Sequence, residues 1–209
     1  MILLNDLSEK LAVEAPEERR IFNEVSWSQY EALLADIGEK SPYRVHYLEG
    51  ILEIVAPSRR HESGKTRIGD LLLIYFLSTN TEYFPMGSTT LRRPEKSAGG
   101  EPDESYCIET DKDFPDLAIE VIVTSGSINR LELYRRLGVR EVWFWQNNDL
   151  TLYYQREGAA EQLAETAGYE EISRSEVLPD LDIDLLTRCL QNPSPLAAAK
   201  AFRQGLRGD

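Results

Sequence analysis

The run Phe114-Pro-Asp-Leu-Ala-Ile-Glu-Val-Ile-Val-Thr124 constrains this chain more than any other stretch. It opens beside a proline, is rich in β-branched side chains, and is apolar at both odd and even positions. That pattern describes a strand covered on both faces. Glu120 interrupts it. A carboxylate in the middle of such a strand is costly unless something offsets its charge. The chain must therefore bring an arginine or lysine, a metal ion or a proton to Glu120.

The elements around the run give it a layered α/β setting. Ser26-Trp-Ser-Gln29 has the form of a capping box, and Trp27, Tyr30, Leu33, Leu34 and Ile37 recur at helical spacing up to Gly38. Residues 43–47 and 51–55 read as a hairpin turning at Glu49-Gly50, and Pro57-Ser58 stops it. A helix is predicted from Arg59 or His61 to about Phe76, then short strands near 81–86, 89–92 and 103–108, with Gly99-Gly100 as a loop. After the Glu120 strand, Ser125-Gly126-Ser127 leads into a helix over 127–137 that stops at Gly138. Residues 140–145 and 151–155 form a second hairpin about Asn147-Asn148-Asp149, and 181–190 and 195–206 close the chain as helices. The organisation expected is an arm over 1–21, one domain over 22–190 and a helical tail over 191–209.

Composition narrows the function classes. With 42% hydrophobic residues, three tryptophans and ten tyrosines, the chain can build a sizeable core. It has no apolar stretch long enough to cross a membrane, and its first ten residues turn polar too soon for a signal peptide. Cys107 and Cys189 are far apart and read as free thiols of a reducing cytoplasm. Two histidines without His-x-x-x-His spacing argue against zinc. There is no glycine-rich phosphate loop and no Gly-x-Ser-x-Gly elbow. A net charge of -13 opposes broad attraction to nucleic acid, and the arginine clusters at 59–67, 92–96 and 130–140 read as solvated faces.

On the Glu120 strand, Asp116, Ala118, Glu120 and Ile122 share one face. On the following helix, Ile128, Leu131, Leu133, Tyr134 and Leu137 form an apolar arc, and Arg130 lies within it. Arg130 is thus the expected cationic neighbour of Glu120. Asp103, entered through Pro102, belongs at the start of an adjacent strand. Two carboxylates and an inward cation can hold Mg²⁺ or Mn²⁺, and they can equally be a structural ion-pair cluster without chemistry.

Pro102-Asp103 followed by Glu120-Val-Ile122 resembles the PD-(D/E)XK nuclease superfamily, and more closely its Uma-type family of restriction-endonuclease-like proteins. The family's motifs are matched by Tyr47-Leu-Glu-Gly-Ile-Leu-Glu53, Pro57-Ser-Arg-Arg-His-Glu62, Pro115-Asp-Leu-Ala-Ile-Glu-Val121 and the block from Arg130 to Trp143. The resemblance spans Phe22 to Leu190. It implies a restriction-endonuclease-like α+β core, a mixed sheet flanked by helices, with an N-terminal helix and hairpin and C-terminal helices. It implies Asp103 and Glu120 as metal ligands, Arg130 in the place of the usual lysine, and Glu62 or Glu53 as a further ligand. The lysine position itself holds Ile122. The function implied is Mg²⁺-dependent hydrolysis of nucleic acid, DNA before RNA, by a water that the ion activates. The alternative is an inactive nuclease-fold module for binding or assembly. A homodimer through the tryptophan hairpin or the C-terminal helices is compatible with either.

Overall fold

The structure, a computed structural model, describes residues 19–38, 41–123, 128–159 and 162–207. Strand β1 (Arg19–Phe22) and helix α1 (Trp27–Ile37) lead into the hairpin of β2 (Arg44–Leu48) and β3 (Ile51–Val55). The capping box is present: Gln29 N donates to Ser26 Oγ and Ser26 N donates to Gln29 Oε1. At the hairpin turn, Glu49 and Gly50 both have positive φ, 47° and 87°, as a tight two-residue connection of right-twisted strands requires. Helix α2 (Arg59–Thr79) is followed by β4 (Tyr83–Pro85), β5 (Leu91–Arg93), β6 (Ala98–Gly100) and β7 (Glu104–Ile108). Then come β8 (Leu117–Ile122), α3 (Arg130–Leu137), β9 (Glu141–Gln146), β10 (Asp149–Gln155) and β11 (Tyr169–Ile172). The last elements are α4 (Ile183–Gln191) and α5 (Pro195–Gly205).

The expected mixed sheet is accompanied by a second one. Six strands in the order β11-β10-β9-β8-β7-β4 form the mixed sheet, in which only β8 and β9 run parallel. Five antiparallel strands in the order β1-β3-β2-β6-β5 form the other. Three elements depart from the sequence reading. Residues 19–21, assigned to the arm, begin a strand on β3, and β11 had no clear alternating pattern to announce it. Gly99-Gly100, read as a loop, lies within β6. Residues 1–18 of the arm and Ser125-Gly126-Ser127 before α3 fall outside the described residues.

Strand β8 is buried along both faces, as its composition demands. Leu117, Ile119 and Val121 pack with α2, α4 and α5, while Ala118 packs with α3 and with Leu48, Leu91 and Ala98 of the second sheet. Helix α1 covers the far side of that sheet through Tyr30 and Leu33 against Val45, Tyr47, Leu52 and Ile54. The even positions of β2 and the odd positions of β3 therefore point back toward β8. Among the described residues, no helix is long and apolar enough to cross a membrane.

Candidate active site

The site forms where those inward faces meet. Antiparallel pairing sets Glu104 against Ile119, so one further step in register brings Asp103 opposite Glu120. In the second sheet, His46 pairs with Glu53. A small cavity of about 60 Å³ lies between them, lined among others by Arg19, Arg44, His46, Asp103, Glu120 and Arg130.

Helix α3 supplies the cation. Asn129 caps it by accepting from Glu132 N, which fixes Arg130 in the first turn, directly after the β8 connection. The guanidinium lies between two carboxylates: Nη2 donates to Glu53 Oε1 at 2.6 Å, and Nε stands 3.7 Å from Glu120 Oε1. Tyr134, one turn along the same face, donates its hydroxyl to Glu120 Oε1. Glu53 is fully buried and also receives Arg19 at 3.2 Å. Asp103 is 2% exposed, and its Oδ2 accepts from Val121 N at 2.7 Å and lies 3.0 Å from His61 Nε2. The Ser58 cap on His61 N holds the imidazole in the first turn of α2, within reach of Asp103.

Each of the two carboxylates facing the cavity thus has one oxygen tied down. Asp103 Oδ1 and Glu120 Oε2 take no hydrogen bond among the described residues. Burial, opposed by Arg130, pushes the Glu120 carboxyl up to about 7. Burial together with Arg130, Arg19, Arg44 and His61 holds His46 well below the usual imidazole range, so it is neutral. Polar atoms buried here without a hydrogen-bond partner include His46 Nδ1, Arg44 Nε and Arg130 Nη1. Buried polar groups left without a protein partner are ordinarily met by water or an ion.

Asp103, Glu120 and Arg130 are brought together. Glu62 is not: its side chain is 46% exposed and engaged with Arg44 at 3.5 Å and Lys65 at 3.9 Å, outside the cavity. Glu53 meets Arg130 instead of a carboxylate pair. His61, at the entry of α2, is 8% exposed and touches Asp103. His46, Arg19, Arg44 and Tyr134 were not singled out as site residues. The signal for Tyr134 was its place one helical turn beyond Arg130. Asp116 accepts from Ile108 N at 2.8 Å and from Lys112, a strand-end role away from the cavity. Trp143 lies in the core and donates to Glu141 at 2.6 Å.

A family model described as "Uma2: Putative restriction endonuclease" matches residues 27–186. A comparison with curated proteins gave no match. Among solved structures, the chain is similar to the crystal structure of a putative nuclease belonging to DUF820 from Anabaena variabilis ATCC 29413. The identity is 13% and the TM-score 0.46, over 82% of this chain and 97% of that one.

Proposed function

The chain belongs to the Uma2 family, and from that premise we propose that it is a nuclease hydrolysing phosphodiester bonds, with DNA as substrate and Mg²⁺ or Mn²⁺ as cofactor. The observation that carries this reading is the pair of buried carboxylates, each with one oxygen held by protein and one left over, beside a cation with a spare donor. Among the described residues, no three His, Cys, Asp or Glu side chains gather as a metal cage. That donor set fits a hard cation such as Mg²⁺, which takes one or two carboxylates and completes its shell with water and substrate phosphate. Asp103 and Glu120 would hold it. When bound, such an ion polarises a phosphate oxygen and acidifies water.

The chain's own residues do the rest. His61 and Val121 N fix the orientation of Asp103, and Tyr134 fixes that of Glu120. With the Glu120 carboxyl raised to about 7, a cation held there would compete with a proton for it. Arg130 Nη1 is a donor for a non-bridging phosphate oxygen, where it offsets the charge that grows during attack. A guanidinium cannot accept a proton, so Arg130 steadies charge and is no base.

The second reading, a binding module without chemistry, is favoured by the 2.6 Å contact that commits Arg130 to Glu53 and by Ile122 in place of a lysine. Two measurements separate them. Purified protein with Mg²⁺ or Mn²⁺ is expected to cut DNA, and Glu120→Gln to abolish cutting; activity that persists in the variant removes the assignment. Calorimetric titration with Mn²⁺ is expected to show binding that Asp103→Asn weakens. An unchanged isotherm favours the module.

A further inference from the structure

A second cavity, larger than that of Asp103 and Glu120, adjoins it. It occupies 520 Å³ on the α1 side of the second sheet, within the size range of small-molecule sites. Arg44 lines both it and the small cavity of Asp103 and Glu120, so the two open onto one side chain. Glu101, in its wall, is two residues from Asp103 along the chain.

The lining is mixed in sign. Arg92 is exposed and enters no ion pair among the described residues. Arg44 stands 3.8 Å from Glu101 Oε2, and its Nε is buried without a partner. Glu101 Oε1 accepts from Thr90 Oγ1 at 3.2 Å, which leaves the carboxylate oriented but not saturated. Leu34 and Tyr43 supply apolar and aromatic wall. A bare anion would meet the carboxylates of Glu31 and Glu101 in such a place. A ligand with an anionic end, a flat ring and an N–H edge would find a partner for each part.

We infer that this cavity is a nucleotide subsite: it takes one unstacked nucleotide of the substrate strand next to the reacting phosphate. The phosphate faces Arg92 and Arg44, the base lies against Tyr43 and Leu34, and its amino edge donates to Glu101. The inference rests on the nuclease reading for the identity of the strand, but its test does not require cleavage.

The full-length chain, without added metal, is titrated with deoxycytidine monophosphate and, separately, with inorganic phosphate, following backbone amide shifts. The nucleotide is expected to shift the amides of Leu34, Tyr43, Thr90 and Arg92. The charge-assisted contact makes its affinity fall by about fivefold or more in Arg92→Ala, whose side chain is exposed and whose loss leaves the fold intact. Leu34→Trp, which fills the cavity, is expected to block binding in the same way. No shifts at these amides, an affinity equal in Arg92→Ala, or inorganic phosphate binding as tightly as the nucleotide would each overturn the subsite. A protein that cuts no nucleic acid yet binds the nucleotide through Arg92 keeps the subsite and loses the nuclease. One that cuts DNA without binding the nucleotide here does the reverse.

Discussion

A carboxyl that burial pushes up to about 7 works against the fold as it ionises. The folded value lies above the unfolded one of about 4.5, so the contribution of Glu120 to stability is complete below that pH and is lost as pH rises through about 7. Glu120→Gln removes the loss. Urea denaturation at pH 5 and pH 8.5 is expected to show the variant gaining on the parent by about 1–3 kcal/mol over that interval. His46 acts in the opposite sense: its depressed value costs stability as pH falls below the ordinary 6.5. It does so in both proteins, so the difference between them isolates Glu120. A constant difference across the range would mean that Arg130 and Tyr134 keep the carboxylate ionised throughout. Glu120 and Arg130 were legible in the sequence because each is a charge inside an apolar pattern. His46 was not, and Glu53 entered only through the family resemblance, since both occupy alternate positions of a hairpin, where polar residues ordinarily mean a solvent face. Only the packing of the second sheet over α3 turns that face inward.

The elements themselves were readable wherever local chemistry announces them: the Ser26 box, the Glu49-Gly50 turn, the Gly138 stop with φ 82°. Strand β6 was not, because its glycines serve contacts made by distant segments. A Cβ at Gly99 would lie 2.5 Å from the Tyr30 hydroxyl and 2.6 Å from its Cε1, and one at Gly100 would lie 2.9 Å from both His46 Nδ1 and Leu133 Cδ2. These glycines let α1 and α3 approach the two faces of one strand, and α3 carries Arg130. Gly99→Ala is therefore expected to cost about 1–3 kcal/mol by overpacking, read from the urea midpoint. Adding Tyr30→Phe should recover little, because the ring carbons Cε1 and Cζ, at 2.6 and 2.8 Å, remain after the hydroxyl is gone. Full recovery by that second change would place the strain in the hydroxyl alone. Strand β1 was hidden for a related reason: Arg19 reads as a surface charge until its contact with Glu53 is known.

At the scale of the whole molecule, a charge of -13 has to be reconciled with an anionic substrate. Several outer cations are already paired with acids. Arg135 and Arg136 are held by Glu132, with Glu49 also on Arg136, and Arg156 by Glu170 and Glu176. Arg19, Arg44 and Arg130 line the small cavity, and Arg44 and Arg92 the larger one. Binding should then depend on a few local contacts and not on a broad basic surface. Each phosphate neutralised adds about −0.9 to the slope of log affinity against log salt on duplex DNA, so four arginines give roughly −3 to −4. Fluorescence anisotropy with Glu120→Gln, which leaves the DNA uncut, checks this between about 50 and 200 mM salt. A slope steeper than about −7 would require contacts well beyond these four side chains and would move the nucleic-acid surface elsewhere on the protein. The shallow slope follows from the same packing that buries Glu120: cations concentrated in one cleft act on the phosphates that enter it, while the acidic exterior repels the rest of the strand.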